Sequence, residues 1–455
     1  MAYQAIGTAK RNIYNEFDAP SSSYTSISKG DPLVSSWLPT LHNTLSSLLS
    51  WTGSYPAHIQ DAHLAFVREA VVPRLKQPPA APDKANYILT HNQSPYEASV
   101  AFSSHREAKV RFTVQPLVDP SPGAAGGDPL GQRGLRQKLA GLASACNADR
   151  TWLDAFLDSV FLTTEEEAGL IRMKPGGALP RQICYAGFDL ESEENTTISM
   201  KAYLFPQLKV LATNRSLVDI TESVATRLAA GDEAMLAAWE LLKTFLVSQG
   251  EDNINIYFLA IDCVALFKKP RFKVYVHTHA NSLASARDVF TLGGRLPASS
   301  ADFLPQVWPL LMEMEDIAPA DMETLEKPLS DPNSKYCGLC FAFELVPGKA
   351  VPQVKMYVPI WQYSRDEAGI VKRYERILQT QGMMSGKYDF GAAVRDAFGK
   401  NRETGLHTMA SISSSGKGVG FSAYFGPRFW GRTSLDDFVE ESSQPLSYND
   451  GIVPF

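Results

Sequence analysis

Apolar side chains follow two different periods along the chain, and the order of these periods repeats. Over Asp219 to Ala229 and over Asp232 to Ser248 they recur at helical spacing, which predicts two amphipathic helices. Two strand-like runs follow, over Asn255 to Val264 and Arg271 to His279. The same order of two helices and two strands is predicted around residues 35–116, 131–206, 283–361 and 364–426. The pattern therefore indicates five helix-helix-strand-strand units.

Ten predicted strands define the expected fold class. Because each unit must bury one face against its neighbours, ten antiparallel strands are expected to close into one barrel with the helices outside. A barrel of that width leaves a central chamber that its side chains do not fill. The expected fold is an α+β, ααββ barrel, with residues 1–455 as a single domain. In the last unit, Ser364 and Glu367 form a capping-box pattern that predicts the start of a helix.

The second strand of successive units carries a Lys-x-Tyr pattern. The three copies are Lys201-Ala202-Tyr203, Lys273-Val274-Tyr275 and Lys355-Met356-Tyr357. Because side chains alternate along a strand, Lys and Tyr share one face while the apolar residue between them points the other way. One copy alone is typical of a solvated strand face. Three copies in register with the repeat favour a functional face.

This polar face is expected to line the chamber, with the aliphatic side chains under the helices. Buried lysines and arginines are costly without a partner, and no matching set of carboxylates lies on these second strands. The missing partner is therefore interpreted as a ligand anion of the size of a diphosphate. The candidate diphosphate-binding residues are Arg111, Lys201, Arg271, Lys273 and Lys355.

The tyrosines indicate what accompanies the diphosphate. Aromatic faces attract cations, so a ring of tyrosines can shield an allylic cation from water. The candidate residues of this shield are Tyr203, Tyr275, Tyr357 and Tyr424. Basic residues beside aromatic rings match an allylic diphosphate that ionises.

Glu97 is the candidate acid–base residue. It lies on the first strand of the first unit, and a turn near Ser104 to Glu107 pairs that strand with the one carrying Arg111. A carboxylate there can accept an indole N–H or phenol O–H proton as the aromatic ring attacks. The competing interpretation is a cross-strand salt bridge between Glu97 and Arg111.

Together these residues resemble the dimethylallyltryptophan synthase (DMATS) family of fungal indole prenyltransferases, over most of the chain as far as about Pro427. In this resemblance Glu97 corresponds to the glutamate that contacts the acidic hydrogen of the acceptor. Arg111 lies five residues before Pro116, as in the family, and the Lys/Tyr pairs correspond to the diphosphate and cation-shield positions. The resemblance implies a ten-stranded prenyltransferase (PT) barrel. It also implies transfer of a dimethylallyl group from its diphosphate to an aromatic acceptor in fungal secondary metabolism, without a metal or other cofactor.

Three positions depart from the family pattern. Members of the family often carry a tyrosine where this chain has Gly420, which leaves a gap in the shield. Tryptophan-specific members carry a lysine at the position of Tyr185 and an arginine for the substrate carboxylate at the position of Tyr257. Tyr185 and Tyr257 are therefore assigned to the acceptor pocket. Free tryptophan is disfavoured, and a cyclic dipeptide, an indole alkaloid or another neutral aromatic is expected.

Two other functions stay open at this point. A related barrel enzyme can prenylate a phenol, tyrosine or polyketide ring instead of an indole. Alternatively, the barrel is a non-catalytic binder of an isoprenoid diphosphate, although such a binder has no need for Glu97.

Composition and charge exclude several other classes. A formal net charge of −6 argues against nucleic-acid binding through the overall field, and no segment predicts a membrane span or a secretory signal. The partners expected are a small aromatic acceptor and a prenyl diphosphate, in the cytosol. The oligomeric state stays open, with a homodimer as one candidate.

No metal site is expected. Cys337 and Cys340 form a CxxC without a second pair, and they are interpreted as reduced cysteines. His277 and His279 share a strand face, but no third ligand is evident, so they are interpreted as polar residues at the barrel mouth. The acidic run Asp436 to Glu440 is interpreted as a solvated surface.

Overall fold

Ten antiparallel strands form one closed barrel in which each strand pairs with its neighbours in the chain. The barrel closes where the first strand pairs with the last. The computed structural model describes residues 32–75, 87–119, 121, 127–173, 181–193, 198–383, 389–399, 405–415 and 418–427. The strands are β1 Tyr96–Ser103, β2 Arg106–Val114, β3 Cys184–Asp189, β4 Ser199–Leu204, β5 Asn255–Asp262, β6 Phe272–Thr278, β7 Leu339–Leu345, β8 Gln353–Val358, β9 His407–Ser415 and β10 Gly418–Phe425. The expected ten-stranded barrel is confirmed.

Helices separate the successive strand pairs and pack on the outside of the barrel. In the described part of the chain they are α1 Pro32–Thr52, α2 Ala57–Phe66, α3 Gln132–Ala145, α4 Thr151–Val160, α5 Thr164–Met173, α6 Gln207–Thr213, α7 Leu217–Ala229, α8 Glu233–Gln249, α9 Leu283–Phe290, α10 Leu304–Met312, α11 Pro319–Met322, α12 Ile360–Tyr363, α13 Glu367–Thr380 and α14 Phe390–Phe398. The third unit follows its predicted pattern closely, whereas the second unit contains a third helix, α5. None of these helices combines the length and the apolar character that a membrane span requires.

The two faces of the barrel wall belong to different clusters. Ala202, Val274 and Met356 are fully buried in the large apolar core between the strands and the helices. The rings of Tyr203, Tyr275 and Tyr357 belong to a separate cluster inside the barrel. The expected polarity, with aliphatic side chains outside and polar and aromatic side chains inside, is confirmed.

The helix predicted to start near Ser364 and Glu367 is present, but the predicted capping box is wrong. Helix α13 begins one residue after Asp366, whose carboxylate accepts a hydrogen bond of 2.6 Å from the Gly369 N–H. The Glu367 carboxylate instead accepts hydrogen bonds from the backbone N–H groups of Gly405 and Leu406 and pairs with His407. Glu367 therefore ties the start of α13 to β9, a tertiary role that a local sequence pattern does not show. The acidic run Asp436 to Glu440 lies outside the described residues.

Candidate active site

The predicted basic residues meet inside the barrel. Repulsion from Arg111, Lys201 and Arg271, added to the larger effect of burial, lowers the pKa of Lys355 well below its usual value. Burial has the largest effect on Lys201, and repulsion from nearby Arg111 and Lys273 acts in the same direction. The pKa of Lys201 is lowered to about 8. Cations on β2, β4 and β8 and at the start of β6 thus influence one another, which places them in one cluster.

Carboxylates also lie in this cluster, so the expectation that its cations have no acidic partners is wrong. The Lys201 ammonium donates to Asp189 Oδ1, and Arg111 Nε lies 3.4 Å from the same oxygen. Burial alone would raise the pKa of Asp189, but the attraction of Lys201 and Arg111 outweighs burial and holds the pKa below its usual value. Because β3 pairs with both β2 and β4, one aspartate reaches cations on both sides.

The same arrangement recurs across β5, β6 and β7. Lys273 donates to Asp262 Oδ1, and Arg271 Nε donates to Asp262 Oδ2 at 2.5 Å. Arg271 also donates through Nη1 to Glu344 Oε2 at 3.0 Å. The acidic residues lie on the first strand of each unit. The basic residues lie on the second strand or, for Arg271, directly before that strand. The register of the paired strands places acids and bases side by side. The pattern of the second strands alone therefore does not predict Asp189, Asp262 and Glu344.

Positive charge still prevails in the cluster. Five cations and three carboxylates leave a formal charge of +2 on these eight residues. Lys355 forms no salt bridge with any described residue, and its ammonium group lies 5.4 Å from the centre of the Tyr357 ring. A lysine that loses much of its hydration without gaining an acidic partner is unfavourable unless an anion binds beside it. The cluster therefore keeps capacity for an anionic ligand, with Lys355 as a cation that has no salt bridge to a described residue.

A belt of tyrosines lies beside the cations. Ring centres are 6.1 Å apart from Tyr203 to Tyr275, 5.7 Å from Tyr275 to Tyr357 and 5.9 Å from Tyr357 to Tyr424. Burial raises the pKa of Tyr203 and of Tyr357 well above its usual value, so their hydroxyl groups stay neutral. Phe258, which the repeat pattern does not single out, stacks on Tyr275 at 4.2 Å. The four predicted tyrosines are therefore brought together as one aromatic surface.

Glu97 faces the same chamber from β1. Its carboxylate accepts a hydrogen bond of 2.6 Å from the Thr408 hydroxyl of β9, a contact that joins residues 311 positions apart. Burial raises the pKa of Glu97 to about 7, although the Thr408 hydrogen bond opposes the increase. A carboxyl group with this pKa is present in both protonation states near neutral pH, as a general base requires. Arg111 pairs with Asp189, so the competing salt bridge to Glu97 is not formed.

The two predicted acceptor-pocket residues, Tyr185 and Tyr257, both pack against the ring of Phe205, with ring centres 5.2 and 5.5 Å from it. Burial, followed by the effects of Tyr257, Tyr336 and Glu97, raises the pKa of Tyr185 well above its usual value. The hydroxyls of Tyr185 and Tyr336 both donate to the Ile88 carbonyl, at 2.9 and 2.6 Å. Tyr336 therefore lies beside Tyr185, and both side chains are held by the segment at Ile88.

The position of Gly420 is bordered by small groups. A Cβ atom added there would lie 3.3 Å from Ser413 Oγ and 3.9 Å from the Phe102 carbonyl oxygen. The chamber wall thus has no large side chain at this point, and the inferred gap in the tyrosine shield stays a prediction.

Solved structures of other proteins contain the same barrel. NotF, solved in complex with brevianamide F and DMSPP, superposes with a TM-score of 0.71 at 20% sequence identity, covering 90% of this chain and 98% of NotF. AnaPT from Neosartorya fischeri gives a TM-score of 0.67 at 22% identity, covering 87% and 96% of the two chains. The fold is that of the PT-barrel prenyltransferases.

Sequence relationships define the family. The tryptophan dimethylallyltransferase family profile matches residues 34–390. The indole prenyltransferase tdiB of Emericella nidulans is 31% identical over 405 residues, which cover 85% of this chain and 94% of tdiB. The indole diterpene prenyltransferase terF of Tolypocladium album is also 31% identical, covering 86% and 93%. The chain belongs to the tryptophan dimethylallyltransferase family and is an aromatic prenyltransferase.

Proposed function

We propose that this enzyme transfers a dimethylallyl group from its diphosphate to a neutral indole acceptor, in the cytosol, as one domain and without a metal ion. The observation that carries the proposal is the order of groups in the chamber. A cation cluster with residual positive charge adjoins a continuous tyrosine belt, and a carboxyl group with a pKa of about 7 faces the same space.

The proposed reaction begins at the cation cluster. The allylic C–O bond breaks, the diphosphate leaves with the bonding electron pair, and Lys355 and its basic neighbours stabilise the added negative charge. The tyrosine faces stabilise the allylic cation and keep water away from it. The electron-rich ring then supplies the electron pair of the new bond, and Glu97 accepts the N–H proton of the indole. Where a ring carbon forms the new bond, that carbon loses its proton as aromaticity returns and Glu97 gives the N–H proton back to nitrogen, so one proton in all is released.

The acceptor pocket favours a molecule without a free carboxylate. Tyr185 and Tyr257 occupy the positions at which tryptophan-specific members carry a lysine and an arginine, and burial raises the pKa of both, so both stay neutral. A substrate carboxylate would lose its hydration there without gaining a charged partner. The names of tdiB and terF indicate indole acceptors for those relatives, and NotF was solved with brevianamide F. Tryptophan-containing cyclic dipeptides and indole alkaloids are therefore the proposed acceptors.

The direct test is prenyl transfer in EDTA. Purified enzyme is incubated with dimethylallyl diphosphate and each of four acceptor classes: tryptophan, tyrosine, tryptophan-containing cyclic dipeptides and simple phenols. Products are detected by mass. Prenylated cyclic dipeptide in EDTA is the expected result. Preferential prenylation of a phenol, or a strict need for Mg²⁺, would overturn the acceptor or the metal-free part of the proposal.

Replacement of Lys355 by methionine is expected to weaken binding of the prenyl diphosphate. Hydrogen bonds to charged groups contribute about 1.5–3 kcal/mol, so KM for the diphosphate should increase by about ten- to a hundredfold. Steady-state kinetics with varied dimethylallyl diphosphate measure the change. Lys349→Met, which removes an exposed lysine from the loop before β8, is the matched control and should leave KM unchanged. An equal effect of the two substitutions would argue against Lys355 as a ligand.

Replacement of Thr408 by valine is expected to move the pH dependence of prenyl transfer. The Thr408 hydrogen bond favours the charged form of Glu97, so its loss raises the Glu97 pKa above about 7. The midpoint of the acidic limb of kcat/KM for the acceptor should shift upward by about one to two pH units. Ser411→Ala removes a hydroxyl from the same strand, where it contacts Tyr424 and not Glu97, and should leave the midpoint in place. An unchanged midpoint in Thr408→Val would show that the acidic limb does not report the protonation of Glu97.

A further inference from the structure

Three potential metal ligands converge at the carboxyl end of β6, the end opposite Lys273 and the cation cluster. His277, His279 and Cys337 each place a nitrogen or sulfur atom within 4.8 Å of the other two. His277 continues the inward-facing row of Lys273 and Tyr275 on β6, whereas Cys337 lies two residues before β7. The sequence pattern of the two histidines shows no third ligand, and in the fold a different segment of the chain supplies it.

We propose that His277, His279 and Cys337 form a binding site for Zn²⁺. Imidazole nitrogen and thiolate sulfur are the donors that Zn²⁺ prefers, and sites with three protein ligands leave a fourth position for water or another ligand. The metal has no step in the proposed prenyl transfer, because the diphosphate and the acceptor proton have other partners in the chamber.

The hydrogen bonding of His277 prepares one ring nitrogen for a metal. His277 Nε2 lies 2.7 Å from the Cys337 carbonyl oxygen, and because a carbonyl oxygen only accepts, Nε2 carries the proton. Nδ1 then holds a free lone pair. It is buried and has no hydrogen-bond partner among the described residues, in a side chain that is 7% exposed. A hydrogen bond from the other ring nitrogen to a backbone carbonyl is the usual arrangement for a metal-binding histidine.

Gly338 explains why Cys337 approaches the histidines so closely. Its backbone has a φ of +62°, and a Cβ atom added there would lie 2.0 Å from the Thr278 carbonyl oxygen. Only glycine therefore lets this segment pack on the end of β6. As a result Cys337 Sγ lies 3.3 Å from His279 Nδ1.

The two buried ligands differ in whether a metal must displace a proton from them. Burial lowers the pKa of His277, so its ring is neutral at physiological pH and its lone pair is available. Burial raises the pKa of the Cys337 thiol, so the metal must displace a proton from sulfur.

The test measures metal binding directly. Tag-free protein is stripped with EDTA in a phosphine reductant, exchanged into chelator-free buffer and titrated with Zn²⁺ against a chromophoric chelator and, separately, with Co²⁺. We expect about one equivalent of tightly bound metal per chain and a thiolate-to-Co²⁺ charge-transfer band. Cys337→Ser should abolish that band. His279→Ala changes an exposed residue and should lower the Zn²⁺ affinity by more than about tenfold. Loss of a group that only orients a metal ligand already lowers metal affinity by about that factor, and His279 is proposed to bind the metal itself.

Two control variants distinguish this site from nonspecific binding. His105→Ala removes an exposed histidine from the β1–β2 turn, and Cys146→Ala removes a buried thiol at the end of α3. Both should bind metal as the wild-type protein does, with circular dichroism confirming that every variant is folded. Absence of tight binding in the wild-type protein would overturn the proposal. Equal binding in His279→Ala, Cys337→Ser and the controls would overturn it as well.

Discussion

Replacement of Glu97 by glutamine is expected to lower kcat for prenyl transfer by about a hundredfold or more, the contribution typical of a general acid–base group. Glutamine retains the size of the side chain but does not accept a proton near neutral pH. KM for dimethylallyl diphosphate should stay unchanged, because the proposed diphosphate site is the separate cation cluster. Steady-state kinetics with each substrate varied in turn measure both quantities.

The pH dependence provides a second readout of the same substitution. In the wild-type enzyme the basic form of Glu97 accumulates as the pH rises through about 7, so turnover should increase over that range. Glu97→Gln should lack this increase. Glu107→Gln, which changes an exposed glutamate on β2, serves as the matched control and should keep wild-type kinetics. Equal losses of kcat and of diphosphate affinity in Glu97→Gln would contradict the role of Glu97 as a base.

Replacement of Asp262 by asparagine is expected to lower the free energy of unfolding by about 3 kcal/mol. Asp262 pairs with Lys273 and Arg271, and removal of one partner from a buried ion pair leaves an uncompensated charge in the interior. Chemical denaturation measures the change. Asp252→Asn, at an exposed position before β5, is the control and should retain wild-type stability.

Inorganic diphosphate should restore part of the stability lost in Asp262→Asn. The variant carries one more uncompensated positive charge in the cluster, so an anion that binds only the folded state stabilises it more than it stabilises the wild-type protein. Thermal unfolding with and without diphosphate tests this difference. The same increase in melting temperature for both proteins would show that Asp262 does not compete with the ligand for the cations.

Lowering the pH should remove the contribution of Asp262 to the stability of the wild-type protein. Burial opposes ionisation of Asp262, but Lys273 and Arg271 outweigh burial and hold its pKa below the usual value of 3.8. A carboxyl group whose pKa is lowered by folding stabilises the folded state above its unfolded pKa. The stability difference between wild type and Asp262→Asn should therefore be full at neutral pH and shrink as the pH falls below about 4.

The sequence by itself determined the repeating units, the number of strands and the face on which the lysines and tyrosines lie. These features depend on helical and strand periods, which link residues only a few positions apart. For the same reason the strand period alone predicts inward-facing positions for four basic residues: Arg111, Lys201, Lys273 and Lys355. In the barrel these residues lie together on the inner side.

Only the tertiary structure decided which side chains meet across the barrel. Asp189 and Asp262 reach their cations because of strand register, and Thr408 reaches Glu97 because β9 and β10 close the barrel onto β1. Cys337 meets His279 because the segment before β7 packs on the end of β6. Such contacts join positions far apart in the chain, and no local period encodes them. They set the residual charge of the cation cluster and the pKa of the candidate base, and with these the chemistry that the chamber supports.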